Sequence, residues 1–349
     1  MSGKRKYGWI FALLVLILIF IRPQQAVDGV QRAMRMWYQG VAPALLPFLA
    51  LMPMITGREA CAAYEKLFAP FMRKLFRLPG AAAPAVIAAM ISGSPGGAAA
   101  ICEIRNNGGI SNAQAARIAL ATGGVSPAWL VLGVGCGMLG SKAAGMKLAA
   151  IQVVVQLFLL KMLEKVEIQP DHAIQKQIHT SHTNPVRSAV ETAITVCGYM
   201  SVFGACGSVV ASFAGEKVGI VLMAVLDLPS GAALIAENSF PGQMTALGCA
   251  LGFGGMCIAM QNMDKLRCVG VRWRDYIITR CVSAAICASA CALIFRRNPG
   301  TAASPVNKGN IYAVSLLVAA LCALPAMKYI SKTFYLNKSK SGRNGSALS

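Results

Sequence analysis

Apolar segments long enough to cross a lipid bilayer follow one another along nearly the whole chain, separated by short polar stretches. A transmembrane helix needs about 20 apolar residues. Segments of about this length lie at 7–22, 36–57, 114–136, 146–163, 188–214, 274–295 and 309–327. Two further apolar stretches, at 81–102 and 241–263, fit either a full span or a re-entrant segment. The pattern predicts an all-α, polytopic membrane protein.

Three of these apolar stretches are interrupted by glycine, serine or proline. The first two breaks lie close together, at 92–97 and 122–127, and the third lies at 252–255. An unpaired backbone N–H or C=O group in hydrocarbon costs several kcal/mol, so a broken helix survives there only where protein or a water-filled cavity covers the gap. Interrupted helices in both halves of a chain are typical of transporter binding sites. We therefore predict broken transmembrane helices and re-entrant hairpins around a solute site.

The breaks supply the residues that we predict to bind the solute. A helix that begins at mid-membrane directs N–H groups and partial positive charge toward the space before it, which favours a small polar or anionic solute. The predicted substrate-binding residues are Ser92, Gly93, Ser94, Pro95, Gly96, Gly97, Thr122, Gly123, Gly124, Ser126, Pro127, Gly254, Gly255, Gln261 and Asn262. The alternative is that some breaks only let helices pack closely through small residues.

Four charged residues near the predicted spans are candidates for coupling or for charge pairing, because ionisable groups inside a membrane are usually functional. Glu191, Arg117 and Arg280 lie near the starts of predicted crossings, and Glu237 lies at the predicted mouth of a second hairpin. For the two arginines the alternative is a side chain that extends to the bilayer surface. For Glu237 it is a solvated loop end.

The order of features predicts two repeats, related as an inverted pair by the number of intervening crossings. In this division 188–214 corresponds to 31–57, and 242–264 corresponds to 84–106. The units are an N-terminal transmembrane helix (1–26), a first repeat (27–163), a polar connecting loop (164–187), a second repeat (188–296), and a C-terminal transmembrane helix with a basic tail (297–349).

Composition agrees with a membrane protein and argues against several other classes. The chain is 56% hydrophobic and 13% charged, whereas soluble domains carry about 25% charged residues. The net charge of +20 is attributed to Lys and Arg that flank apolar spans, and no basic run interleaved with aromatics predicts a nucleic-acid surface. The twelve cysteines contain no CxxC pair, so we predict neither a zinc site nor a disulfide framework. Without a P-loop, HExxH or GxSxG motif, no enzyme and no cofactor is predicted.

The stretch 37–140 resembles the Gate, or nucleoside-recognition, domain of spore-maturation membrane proteins and, more distantly, of concentrative nucleoside transporters. The segments that carry the resemblance are Pro43-Ala-Leu-Leu-Pro47-Phe48, the amphipathic 68–80, Ser92-Gly-Ser-Pro95-Gly-Gly97, Ala115-Ala-Arg117 and Ser126-Pro127. With Gly254-Gly255 and Met260-Gln261 added, the plan over residues 27–295 resembles the YlbJ-type sporulation integral membrane proteins.

This resemblance implies a transporter that moves dipicolinate, a small organic dianion, across the outer forespore membrane during sporulation. Where the family usually has a lysine after the glycine-proline turn, this chain has Ala98 and Ala99, so one candidate partner for a carboxylate is missing. The alternatives are a transporter of a nucleoside-like solute and a non-transporting membrane scaffold for spore maturation. The predicted partners are an anionic small molecule and the lipid bilayer, and a homo-oligomer is compatible with the sequence.

Overall fold

The computed structural model describes residues 8–165 and 184–295, and these residues form helices without any strand. The α-helices are α1 (Gly8–Ile21), α2 (Pro23–Met36), α3 (Ala42–Thr56), α4 (Arg58–Phe76), α5 (Ala83–Ser92), α6 (Gly96–Asn106), α7 (Asn112–Thr122), α8 (Pro127–Trp129), α9 (Lys142–Met162), α10 (Pro185–Ser212), α11 (Glu216–Leu226), α12 (Leu228–Glu237), α13 (Gln243–Phe253), α14 (Gly255–Lys265) and α15 (Trp273–Phe295). The predicted all-α class is confirmed. Most of the predicted polar loop, and the predicted C-terminal helix and tail, lie outside the described residues.

Six helical units in the described part of the chain are long and apolar enough to cross a membrane. They are Pro23–Thr56, Asn112–Met138, Lys142–Met162, Pro185–Ser212, Gln243–Cys268 and Trp273–Phe295. Large apolar side chains cover their outer surfaces; Met54 is 73% exposed and Leu293 is 70% exposed. Such exposure is costly in water and favourable in lipid. The protein is therefore an integral membrane protein.

The first of these units joins α2 to α3 through a π-helical turn at Trp37–Val41. Pro43 follows this turn after Ala42, and a proline nitrogen cannot donate the usual bond to the carbonyl four residues earlier. A wider helical turn accommodates the missing bond without ending the helix. The unit thus runs unbroken from one membrane surface toward the other, as one long helix.

Two pairs of short helices fold back on themselves, α5 with α6 and α11 with α12. The arms touch where one helix has a glycine: a Cβ on Gly97 would lie 2.5 Å from the Cα of Ala89, and a Cβ on Gly231 would overlap Ala224. Small residues allow this close approach between helices in lipid. The first pair is the predicted re-entrant hairpin. The second hairpin is formed by residues 216–237. The correspondence between the two halves in the sequence analysis places it at 242–264 instead.

The segment 243–268 is instead one broken crossing, made of α13 and α14. It matches the crossing made by α7, α8 and the π-helical stretch Leu130–Met138. Apart from α1 and α4, which have no counterpart in the described second half, the two halves have the same order: a long helix, a hairpin, a broken crossing and a long helix. In this order 216–237 corresponds to the first hairpin and 243–268 corresponds to the first broken crossing, which differs from the correspondence proposed from the sequence. The inverted orientation of the repeats stays a prediction.

A disulfide joins Cys102 in α6 to Cys268 in the turn after α14, 166 residues apart. The sequence analysis predicted no disulfide framework and did not foresee this single bond. The two residues lie near the ends of their elements, where the first hairpin meets the broken crossing of the second half. Spacing along the sequence gave no sign of this contact because it depends on how the two halves pack.

Candidate functional site

A cavity of about 50 Å³ lies where the first two predicted breaks meet the tip of the second hairpin. Four polar residues border it: Ser92 and Ser94 from the first break, Ser126 from the second, and Gln261 from α14. The remaining wall is apolar and is formed by Val41, Ala44, Leu45, Val125, Trp129, Val196, Met200, Pro229 and Ile258. Sequence-predicted residues from both halves of the chain thus share one cavity.

The first two breaks bind each other through their backbones. The amide of Ser94 donates to the carbonyl oxygen of Gly124 at 3.0 Å, and the Ser94 hydroxyl donates to the same oxygen at 3.1 Å. Gly93 has φ +63°, and a Cβ there would overlap the amide nitrogen of Ser126. Backbone groups released where one helix stops are satisfied by the other break. This pairing explains how the two interruptions are tolerated inside a membrane.

Two side chains from the second half hold these breaks in place. The Asn262 amide nitrogen donates to the Ser94 hydroxyl at 2.6 Å and to the Tyr276 hydroxyl at 2.7 Å. Tyr276 in turn donates to the carbonyl oxygen of Gly123 at 3.3 Å. Asn262 was predicted to meet the ligand; the structure gives it a linking position between the breaks. It borders a water-sized void beside Gly97.

The hydroxyls at the breaks are already partly engaged. Ser126 accepts from the amide of Trp129 at 3.2 Å and so caps α8, whose first residue is Pro127. Ser92 donates to the carbonyl of Ala88 at 2.7 Å, and Thr122 donates to Ile118 at 2.8 Å. A hydroxyl has one donor and two acceptor positions, so Ser92 and Ser126 keep hydrogen-bonding capacity on the cavity side. Thr122 borders only the smaller void.

The third predicted break contributes packing rather than a cavity wall. Gly254 and Gly255 have φ values of +89° and +75°, a backbone conformation that favours glycine. A Cβ on Gly255 would lie 3.1 Å from the amide nitrogen of Leu228, at the tip of the second hairpin. Gly96 is also a packing position, since a Cβ there would lie 2.9 Å from the Ser92 hydroxyl. For Gly96 and Gly255 the close-packing alternative describes what is observed, whereas a Cβ on Gly254 would meet nothing within 4 Å.

The two acidic candidates lie away from the cavity. Glu191 is exposed and pairs with Arg187 at 3.1 Å, one turn earlier in α10. Glu237 is exposed at the last residue of α12. An exposed ion pair such as that between Arg187 and Glu191 contributes little to stability. Neither position supports a role in contact with a solute.

The two arginines are buried, which contradicts the alternative that they extend to the bilayer surface. Arg117 donates through Nε and Nη2 to the carbonyl oxygen of Leu160, in the last turn of α9. Arg280 donates through Nη2 to the carbonyl oxygen of Leu120, in the last turn of α7, at 2.8 Å. Both cations therefore sit at helix C-termini, where the helix dipole places partial negative charge.

The sequence analysis missed Asp227, which forms the tip of the second hairpin. Its side chain is fully buried; Oδ2 accepts from the amide of Ser230 at 3.3 Å, and Oδ1 has no partner among the described residues. The segment Asp227-Leu-Pro229-Ser-Gly231 is an interruption like the first break, with a proline two residues before a glycine. A search for that spacing inside apolar stretches would have found it.

One comparison with known proteins bears on this architecture. The sequence is 25% identical over 316 residues to the sporulation integral membrane protein YlbJ of Bacillus subtilis (strain 168), and the aligned region covers 77% of this chain and 78% of YlbJ. The chain is similar to YlbJ over most of its length. The similarity confirms the resemblance to YlbJ-type proteins that the break motifs indicated. No protein-family model and no solved structure matches the sequence, so the resemblance to the Gate domain stays a prediction.

Proposed function

We propose that this YlbJ-like protein is a membrane transporter of a small organic anion that acts in sporulation. The observation that carries the proposal is the cavity in which two interrupted helices and a hairpin tip converge. The resemblance to YlbJ-type proteins favours dipicolinate as the solute and the outer forespore membrane as its location.

The chemistry of the cavity suits an aromatic anion. Helix α6 starts just after Ser94 and helix α8 starts just after Ser126, and both serines line the cavity, so two positive dipole ends lie beside it. The start of α12 is capped by the carboxylate of Asp227. The Trp129 ring offers an apolar face of the kind on which an aromatic ring packs. No acidic residue is among the described residues that line the cavity. A carboxylate would therefore find donors and partial positive charge without direct repulsion.

The size of the cavity requires movement during transport. About 50 Å³ holds water-sized molecules, whereas sites for organic ligands usually measure about 300–1,000 Å³. The bonds from Ser94 to Gly124 and from Asn262 to Ser94 close the space between the two breaks. We propose that this conformation is the closed one, and that separating the hairpin tips admits the solute.

A membrane scaffold for spore maturation is the second candidate. The observation that favours it is the glycine packing at Gly97, Gly231 and Gly255, where small residues bring helices together outside the lining of the main cavity. A scaffold needs the packing and not the cavity. The two functions are therefore separated by a substitution that fills the cavity and leaves the glycines intact.

Filling the cavity with Val196→Phe is expected to reduce dipicolinate uptake into proteoliposomes at least about tenfold, because the added ring occupies most of the free volume. Val196 in α10 is 3% exposed and borders the cavity. The matched control is Val202→Phe in the same helix, where the side chain is 61% exposed to the lipid-facing side. Equal uptake by the two variants, at equal insertion and thermal stability, would refute transport through this cavity.

A further inference from the structure

Four buried polar side chains lie between α9 and α15, outside the cavity lining. Gln152 and Gln156 are one turn apart on α9, and Arg280 and Ser283 are one turn apart on α15. Each is at most 2% exposed. Residues at this spacing share one helix face, and Cys287, further along the same face of α15, lies 3.7 Å from the Gln152 amide oxygen. The four residues are named the α9–α15 polar cluster.

The α9–α15 polar cluster contains six buried polar atoms without a partner in the described residues. They are Gln152 Nε2, Gln156 Nε2, Gln156 Oε1, Arg280 Nε, Arg280 Nη1 and Ser283 Oγ. Five of the six can donate a hydrogen bond. Buried polar groups are nearly always bonded, and donors left unpaired in a membrane are strongly unfavourable. The unpaired donors of the α9–α15 polar cluster therefore require a hydrogen-bond acceptor.

The two glutamine amides of the α9–α15 polar cluster border the second break at Gly124. A Cβ on Gly124 would lie 2.8 Å from Gln156 Nε2 and would overlap Gln152 Nε2, so the two amide nitrogens are close to each other and to the break. Arg280 holds the carbonyl of Leu120 in the turn before the same break. The missing side chain at Gly124 thus leaves space for amides that approach the backbone.

Arg280 also carries an unbalanced charge. It has no carboxylate partner in the described residues; it donates to the neutral carbonyl of Leu120 at 2.8 Å and lies 5.8 Å from the ring of Tyr276. An ionised group inside a membrane is rarely left without a counter-charge. The group that would satisfy both the charge and the donors is an anion, and the close packing around Gly124 restricts it to one or a few atoms.

We propose that Gln152, Gln156, Arg280 and Ser283 bind one small monovalent anion, either a halide or a carboxylate group. The bound anion neutralises Arg280 and accepts from the glutamine amides. It thereby fixes α9 and α15 against the second break. This site is distinct from the cavity and does not depend on which solute the cavity takes.

The test uses the full chain in lipid nanodiscs without any transported solute. Thermal unfolding is measured in sodium chloride, sodium formate and sodium methanesulfonate at equal ionic strength. Chloride or formate is expected to raise the Tm by about 5 °C in a saturable manner, and methanesulfonate is expected not to. Arg280→Gln should abolish the shift, and Gln156→Leu should raise the apparent dissociation constant about tenfold.

The matched control is Arg117→Gln, which removes the other buried arginine that caps a helix end. It should lower the Tm and leave the anion-dependent shift intact. A shift with chloride alone identifies a halide site, and a shift with formate alone identifies a carboxylate site. Equal shifts with all three salts would overturn the proposal, as would a shift retained by Arg280→Gln. If Arg280→Gln does not fold, loss of the anion-dependent shift is tested with Ser283→Ala and Gln156→Leu instead. Neither outcome at this site changes the interpretation of the uptake assay.

Discussion

Gly93→Ala is expected to lower the free energy of unfolding by at least about 2 kcal/mol and to abolish uptake. Gly93 has φ +63° and ψ −159°, a region that is almost restricted to glycine and costs about 1–3 kcal/mol for other residues. A Cβ there would also lie 2.7 Å from the carbonyl carbon of Val125 and overlap the amide of Ser126. These are backbone atoms, so relief requires the two breaks to separate. Denaturation in nanodiscs and proteoliposome uptake measure both effects.

Gly108→Ala is the control that isolates backbone strain from steric overlap. Gly108 also has a positive φ, +79°, but a Cβ there meets nothing within 4 Å. We expect a loss of about 1 kcal/mol and normal uptake. If the two substitutions destabilise the protein equally, the contact between the first and second breaks is not what makes Gly93 necessary.

The first two breaks could be predicted because their signal is local. Glycine, serine and proline inside an apolar run oppose helix formation wherever the chain goes, so 92–97 and 122–127 are interruptions in any fold. The prediction that the breaks converge on one site rests on the assumption that protein or a water-filled cavity must cover the unpaired backbone groups of each break. In the structure Ser92, Ser94 and Ser126 border one cavity, and Gln261 borders it as well. That these residues bind a solute stays a prediction.

The roles of the other residues could not be predicted because they depend on partners far away in sequence. Arg117 and Arg280 resemble residues that extend to the bilayer surface when only their own helices are considered. Their acceptors, Leu160 and Leu120, lie on other helices. The position of Asn262 between Ser94 and Tyr276 is likewise a product of packing between the two halves. The sequence pattern of a segment indicates which of its faces is apolar, but not which residues of other segments it contacts.

The correspondence between halves was misaligned for a similar reason. Matching Gly254-Gly255 with Gly96-Gly97 rested on glycine pairs, but the elements around them differ. In the structure Gly254 ends α13 inside a crossing, as Gly123 follows α7, whereas Gly97 and Gly231 both close hairpins. With few identities between halves, the order of elements is the stronger guide. It makes the second hairpin tip, with Asp227, the counterpart of the first break.

Asn262→Leu is expected to lower the free energy of unfolding by about 1–3 kcal/mol and to reduce uptake strongly. Leucine has nearly the same volume but no donor. The Ser94 and Tyr276 hydroxyls would each lose the amide that now donates to them. Of the hydrogen bonds described above between the breaks and the second half, the one from Tyr276 to the carbonyl of Gly123 would remain. Tyr276→Phe, alone and combined with Asn262→Leu, gives a double-mutant cycle, and we expect a coupling of about 0.5–3 kcal/mol.

The neighbouring Gln261→Leu is the matched control, because it makes the same change one residue away on α14. Gln261 donates only to the Cys257 sulfur, at 3.2 Å, among its recorded bonds, and it borders the cavity. Its loss is expected to raise the KM for uptake with little change in stability, since no second-half contact to the breaks is removed. Asn262→Leu should do the reverse, with a lower Tm and fewer active molecules at unchanged KM. If instead Asn262→Leu changes KM and leaves the Tm as it was, Asn262 contacts the solute and does not link the two breaks.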